Sequence, residues 1–153
     1  MNRIEAIQAV SKYVKEPHTL IFIDGIPLDV LFNRFAPDRV SVGLVPTLLD
    51  WLYNPVERTL VRDRILPSVG KSSRAPVLMC PDDCDLWCTV VIAEVMNHDS
   101  VVWWKQIGIN TSAPENMPFS IGTTVEWLEG IGTFCFARSD YQQCIAAFGE
   151  SVE

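Results

Sequence analysis

The first third of the chain predicts a helix, a strand and a second, shorter helix. Ile4, Ile7, Val10 and Val14 follow helical spacing, so the segment that begins at the candidate cap Asn2 is predicted to be an amphipathic helix. Pro17 would end that helix. Residues 19–23 form a run rich in β-branched and aromatic side chains, which predicts a strand, and residues 28–35 are compatible with a short helix.

The middle of the chain contains its clearest helix start. Asn54-Pro55-Val56-Glu57 combines an Asn cap, a proline at the first helical position and an acidic residue in the first turn. The helix is predicted to run to Ile65. Residues 40–45 are compatible with a strand and residues 46–52 with one or two helical turns, while residues 67–73 are predicted to be a loop.

The second half of the chain predicts a sheet. Residues 77–80 read as a strand that leads into Pro81 and an acidic turn. Two longer runs, 86–95 and 101–109, are separated by turn-forming residues, which predicts a long hairpin over about 86–109.

The C-terminal region predicts a strand and a closing helix. Residues 123–128 fit a strand or a helix equally well, whereas Thr133–Ala137 predicts a strand. Ser139 and Gln142 match a capping box that would open the last helix. The pattern as a whole favours an α+β fold with a mostly antiparallel sheet, formed as a single globular domain over residues 1–153.

Charge is distributed unevenly along the chain, whose net charge is -7. From Leu78 onward there are eleven Asp and Glu residues, and only Lys105 and Arg138 oppose them. Such an acidic half would be repelled by the phosphates of nucleic acids and of anionic membranes. The composition therefore excludes those two partners and favours a basic protein partner.

The chain has no apolar run long enough to cross a bilayer and no visible secretory signal at its start. Its five cysteines are an odd number, which fits reduced thiols better than a disulfide framework. A cytoplasmic location is therefore expected.

The segment 80–88 carries the densest candidate chemistry, because cysteines and aspartates alternate there. A zinc site would take its thiolates from this segment and from the C-terminal region, namely from Cys80, Cys84, Cys88 and either Cys135 or Cys144. The carboxylates that share the segment, Asp82, Asp83 and Asp85, are poor neighbours for a thiolate centre but are the oxygen ligands that Mg²⁺ prefers. The favoured interpretation is a solvated acidic turn without a metal or other cofactor.

No catalytic pattern is convincing. A Cys–His nucleophilic pair would need His18 or His98, and both lie in predicted turns beside polar residues. Gly70-Lys71-Ser72 lacks the remainder of a phosphate-binding loop. The helical face with Arg58, Arg62 and Arg64 is interpreted as solvated or in contact with the acidic half. We therefore expect a protein that is not an enzyme.

The residues 77–83, 85–88 and 102–108 resemble a group of small, uncharacterised acidic bacterial proteins with a strand, an acidic Cys-Pro turn and a Trp-containing hairpin. This resemblance covers roughly residues 75–110, and its motif implies no particular activity. In size, acidity and lack of a catalytic motif, the chain is also similar to immunity proteins of bacterial toxin systems, including those of contact-dependent growth inhibition.

The leading hypothesis is an immunity protein that neutralises a basic toxin domain through an acidic surface. An exposed tryptophan, Trp87 or Trp104, would anchor the partner. The predicted contact residues are Asp82, Asp83, Asp85, Trp87, Asp99, Trp104, Glu126 and Glu129. The alternatives are a regulatory or structural subunit that binds another basic protein, and a small enzyme with a Cys- or Asp-based site.

Overall fold

A computed structural model of the chain shows an α+β fold. It describes residues 1–36, 43–82 and 85–148. The strands are β1 (Ile4–Ala9), β2 (His18–Ile23), β3 (Ile26–Pro27), β4 (Val45–Pro46), β5 (Ser72–Met79), β6 (Val90–His98), β7 (Val101–Asn110), β8 (Val125–Trp127) and β9 (Phe134–Ala137). The helices are α1 (Leu28–Phe35), α2 (Pro55–Ile65) and α3 (Arg138–Ala146).

The strands form two antiparallel sheets. The smaller sheet has the order β1-β2-β3. The larger sheet has the order β4-β5-β6-β7-β8, and β9 pairs with a different stretch of β7. A parallel bridge between Asn2 and Phe136 joins the start of the chain to β9, which brings the two sheets into contact.

The hairpin β6–β7 is the centre of the larger sheet and confirms the predicted hairpin. It pairs from Val91 with Ile109 at one end to His98 with Val101 at the other, with one register shift between Ala93 and Val95. The first strand begins at Val90 rather than at residue 86. The reason is that Leu86, Trp87 and Cys88 belong to the connection that precedes it.

The predicted N-terminal helix is wrong, because residues 4–9 form strand β1. The apolar run of β2 needs a partner for its backbone, and β1 pairs with all of it, from Ile4 opposite Ile23 to Ala9 opposite His18. Asn2 does not cap a helix. Its side chain donates to Asp24 Oδ2 (2.7 Å) and accepts from the backbone N–H of Cys135 (2.8 Å).

The helices α1 and α2 match their predicted bounds. In α2, the Asn54 side chain accepts hydrogen bonds from the backbone N–H groups of Val56 and Glu57, as an Asn cap should. The closing helix α3 is also confirmed, but its predicted capping box is wrong. The helix begins at Arg138, and no side-chain bond caps Ala137 before it.

Other predictions in the middle of the chain are adjusted by the structure. Residues 46–52 form β4 and a turn rather than helical turns, and β5 begins at Ser72, inside the predicted loop. The strand predicted over 40–45 falls partly outside the described residues, and only Val45 joins β4. Residues 125–127 of the ambiguous segment form a strand.

A buried aromatic cluster on the larger sheet connects α3 to α2. Trp104 on β7 is 1% exposed and lies edge-on to Phe136 and Tyr141. Its indole N–H donates to the Tyr141 hydroxyl (3.0 Å), which in turn donates to the carbonyl of Ile65 at the end of α2 (2.7 Å). Burial raises the pKa of Tyr141, so the hydroxyl keeps the proton that this chain of bonds requires.

None of the helices within the described residues has the length and apolar character needed to cross a bilayer.

We expect Tyr141→Phe to destabilise the fold by about 1–3 kcal/mol, because it leaves the Trp104 N–H and the Ile65 carbonyl without their buried partner. Chemical denaturation measures the effect. Tyr53→Phe is the matched control, since Tyr53 is 69% exposed and should lose almost nothing. Equal stability of the two variants would contradict the role given to this hydroxyl.

Candidate functional site

Three described members of the predicted contact set, Asp82, Asp85 and Trp87, lie in the connection between β5 and β6. This connecting segment, residues 80–89, leaves the end of β5 and returns to the start of β6. Trp87 is 60% exposed, Asp82 is exposed and Asp85 is half-buried. Asp83 and Cys84 lie outside the described residues.

Glu57 of α2 fixes the backbone of the connecting segment. Its Oε1 accepts the backbone N–H of Leu86 (3.1 Å), and its side chain is also hydrogen-bonded to the side chain of Trp87. The Asp85 carboxylate accepts the backbone N–H of Trp87 (3.0 Å). Leu86 is completely buried, so the segment is pinned to the core directly before the exposed Trp87.

Glu57 is a buried acid, 3% exposed, and its surroundings disfavour its charge. Burial raises its pKa above the usual 4.5, and the nearby carboxylate of Asp85 adds to the increase. The hydrogen bonds from Leu86 and Trp87 act in the opposite direction and are weaker than the effect of burial.

The first turn of α2 adds apolar surface around this position. Tyr53 and Val56 are 69% and 49% exposed on either side of the Asn54 cap. On the outer side of α2 a shallow cavity of about 450 Å³ is lined by Val56, Thr59, Leu60 and Phe119, among others. Exposed apolar groups beside carboxylates are typical of protein-binding surfaces.

A second cavity lies on the other side of the connecting segment. It has a volume of about 800 Å³, and its lining includes Tyr13, Trp51, Cys80, Asp82 and Cys88. The ring of Trp51 also contacts the buried His18, with centroids 5.1 Å apart.

Trp104 cannot anchor a partner, although the sequence allowed either Trp87 or Trp104. Trp104 is enclosed by the aromatic cluster, and the alternation of side chains along β7 turns Trp103 to the opposite face. Trp103 is half-buried there, and Lys105 Nζ lies 5.8 Å from its ring centroid. Trp87 is therefore the exposed tryptophan that fits the hypothesis.

Asp99 lies at the opposite end of the larger sheet. It occupies the β6–β7 turn with φ of 56°, a left-handed conformation that Asp tolerates, and its carboxylate is 3.4 Å from His98 Nε2. The length of β6 places this turn about 25 Å from the connecting segment. Asp99 therefore does not share a surface with Asp82 and Asp85.

Glu126 and Glu129 are exposed at the β8 edge of the same sheet. The register Leu78–Val91–Ile109–Glu126 places Glu126 three strands away from β5, about 14 Å across the sheet. Apart from the buried Trp104, the described members of the predicted contact set therefore lie in three separate places, and Asp82, Asp85 and Trp87 stay together.

The arginines of α2 donate to backbone carbonyl oxygens. Arg58 and Arg62 bond to the 48–52 turn through the carbonyls of Leu52 (3.2 Å) and Leu48 (3.4 Å). Arg64 donates to the carbonyls of Ile121 (2.5 Å) and Phe119 (3.1 Å), and burial lowers its pKa. This agrees with an internal contact more closely than with a phosphate-binding strip.

The four described cysteines do not converge as a zinc site would require. Cys80 and Cys88 are neighbours at the connecting segment. Cys135 lies on β9 opposite Trp103, whose other partner Met96 pairs with the start of β5, roughly 20 Å from Cys80. Cys144 is buried in α3. Among the residues described, no group of three or more His, Cys, Asp or Glu side chains is arranged to hold a metal ion.

The surroundings of the two histidines give no support to the Cys–His pair that the sequence analysis considered and disfavoured. His98 adjoins Asp99 at the hairpin turn, and His18 is buried with its Nδ1 2.8 Å from the carbonyl of Glu16. Burial raises the pKa of Cys80 to about 11, so at neutral pH this sulfur is a thiol rather than a nucleophilic thiolate.

Sequence reasoning missed Glu57 as a site residue. It assigned this acid to the first turn of α2, where its own backbone N–H is indeed capped by Asn54. The side chain reaches across to Leu86, a contact between residues far apart in the sequence that no local pattern reveals.

Comparison of the chain with protein-family models, with curated proteins and with solved structures gives no match.

The raised pKa of Glu57 predicts a specific pH dependence of stability. Its proton is held more tightly in the folded chain, so the stabilisation from protonation is fully present below pH 4.5 and is lost as the pH rises through the folded-state pKa. Glu57→Gln keeps the acceptor for Leu86 but cannot ionise. We expect the unfolding free energy of the wild type to fall relative to this variant as the pH rises from 4.5 toward neutrality.

Denaturation curves across that pH range test this expectation. Glu129→Gln is the matched control, because Glu129 is exposed and its replacement should leave the pH dependence of the wild type unchanged. Parallel stability profiles for the wild type and Glu57→Gln would refute the assignment.

Proposed function

We propose that this chain is a protein-binding module that neutralises a basic partner domain, and that it acts as an immunity protein of a bacterial toxin system. The observation that supports it most directly is Trp87, which is 60% exposed while its own backbone N–H and that of the buried Leu86 are hydrogen-bonded. A large apolar side chain held in one place outside the core loses little conformational freedom on binding. This is the property expected of an anchor residue.

Charge supports a basic partner. Asp82 and Asp85 lie in the same connecting segment as Trp87, and the chain carries a net charge of -7. Opposite charges on two proteins accelerate their encounter, whereas the apolar anchor slows dissociation. The two aspartates would therefore act mainly on the association rate constant, and Trp87 mainly on the dissociation rate constant.

The position of the arginines also supports this proposal. Arg58, Arg64 and Arg74 direct guanidinium groups to the carbonyls of Leu52, Ile121 and Gly122. Positive charge is thereby committed to internal contacts with the backbone.

An immunity protein is the class of binder that best fits these features. Toxin domains that attack nucleic acid need a basic cleft for the phosphates, and an acidic surface with an apolar anchor is complementary to such a cleft. The proposal places the chain in the cytoplasm, where such a toxin would act. Occlusion of the cleft by Trp87 and the two aspartates is the proposed mode of inhibition.

The proposal predicts that a toxin gene directly precedes this gene, and growth of cells that express that toxin domain tests it. We expect co-expression of the wild-type chain to restore growth and Trp87→Ala to abolish this protection. With purified proteins, Trp87→Ala should raise Kd roughly 30-fold or more, mainly through faster dissociation. Protection and affinity that do not change in this variant would contradict Trp87 as the anchor.

A pair of double variants separates local charge from net charge. Asp82→Asn with Asp85→Asn should slow association by about tenfold at low salt, and high salt should reduce this difference. The Asn at position 85 can still accept the Trp87 N–H. Asp99→Asn with Asp140→Asn changes the net charge equally, near the hairpin turn where α3 begins. Equal slowing by both pairs would indicate non-specific attraction and contradict the proposed surface.

A further inference from the structure

Cys80 and Cys88 are brought together at the base of the connecting segment. Cys80 directly follows β5 and Cys88 lies two residues before β6, and these strands pair up to Met79 opposite Val90. The Cys80 Sγ lies 3.9 Å from the carbonyl of Thr89, and the two cysteine side chains are in hydrogen-bond contact. Both sulfurs line the cavity of about 800 Å³.

The geometry at this position satisfies the main requirement of a disulfide. The register of Met79 with Val90 places Thr89 opposite Cys80, so Cys88 is the diagonal neighbour of Cys80. At a strand spacing of about 4.8 Å and a rise of about 3.3 Å per residue, this diagonal separation is about 6 Å, within the range of Cα separations of about 4.4–6.8 Å that disulfides span. The Cys88 side chain is close enough to raise the pKa of Cys80, and both residues line the same cavity, so we expect rotation about the side-chain torsions to bring the two sulfurs to bonding distance. Cys88 is exposed and Cys80 half-buried, so a small oxidant reaches the pair from the solvent side.

We infer that Cys80 and Cys88 are a thiol–disulfide modification site, at which exchange with a low-molecular-weight disulfide such as oxidised glutathione closes residues 80–88 into a covalent loop.

The reaction proceeds in two balanced exchanges. The thiolate of Cys88 attacks oxidised glutathione, forms a mixed disulfide and releases one glutathione thiolate. The sulfur of Cys80, after loss of its proton, attacks the Cys88 sulfur and releases the second glutathione. The two protein thiols lose two electrons, the glutathione disulfide gains them, and the two thiol protons pass to the released glutathiones.

Exposure determines which sulfur reacts first. Burial raises the pKa of Cys80 to about 11, with a further contribution from the adjacent Cys88. The exposed Cys88 therefore makes the first attack, and Cys80 completes the bond as the resolving thiol.

The other described cysteines do not compete for this bond. Cys144 is buried in α3, and Cys135 lies on β9 at the distant end of the larger sheet. Neither can approach Cys88 without unfolding. Cys84 lies outside the described residues and is tested separately below.

The covalent loop would include Asp82, Asp85 and Trp87. An effect of oxidation on partner binding rests on the proposed function, whereas formation of the bond does not. Cross-linking near a pinned Trp87 would reduce the freedom of the segment before binding and so favour the bound conformation.

Equilibration of the full-length protein in buffers with graded ratios of reduced to oxidised glutathione tests the inference. After acid quenching and alkylation, peptide mass analysis should identify a Cys80–Cys88 disulfide. The effective concentration of the two thiols relative to each other should be higher in the folded protein than in denaturant by about tenfold or more. Cys80→Ser and Cys88→Ser should each abolish it, whereas Cys135→Ser should not change it.

Two results would overturn the inference. One is a folded wild-type protein that stays reduced in buffers that oxidise the denatured chain. The other is loss of the Cys80–Cys88 bond in Cys84→Ser, which would show that Cys84 is an obligatory partner. The toxin-protection assay uses Trp87→Ala and no oxidant, so the failure of one proposal is distinguishable from the failure of the other.

Discussion

The pairing of β6 with β7 is the constraint on which the rest of the structure depends. Their backbone hydrogen bonds fix the two central strands, and β5, β8 and β9 then pair against their outer edges. Because an antiparallel hairpin has two distinct ends, this arrangement also determines what can act together. One end presents the connecting segment with Trp87, and the other presents the turn with Asp99. Asp82 and Asp85 are therefore separated from Asp99 by the length of a strand, although all three belong to the acidic half of the sequence.

The connecting segment is held by a buried acid rather than by its own sequence. Glu57 supplies an acceptor to a backbone N–H that would otherwise be buried without a partner, which is more costly to a fold than the loss of an average hydrogen bond. Burial of a carboxylate is itself unfavourable, so the protonation state of Glu57 affects the contact that positions the connecting segment. The same helix carries the arginines that hold the 48–52 turn and the carbonyls of residues 119 and 121. Helix α2 thus organises three irregular segments at once.

Local signals in the sequence were sufficient for several elements and insufficient for others. The Asn54-Pro55 start of α2 and the β-branched and aromatic runs of the hairpin depend on near neighbours in the chain, and both are confirmed. Residues 4–9 show helical spacing, yet pairing with the whole of β2 determines their conformation. The residues of the candidate site could likewise be predicted only in part from local signals. The exposure of Trp87 and the burial of Trp104 follow from tertiary packing, and the contact between Glu57 and Leu86 has no local signature.

The anchoring of the connecting segment has a consequence for how such a chain can diverge. Its fixed points are the main-chain N–H groups of Leu86 and Trp87, which any residue except proline provides at those positions. The outward side chains of Asp82 and Trp87 contribute little to the buried core. Under the proposed function, substitutions there would alter the recognition surface at small cost to folding, as in loops that a rigid scaffold positions for binding. A chain with this fold could then change its partner by mutation at a few surface positions, while the hairpin and Glu57 preserve the architecture.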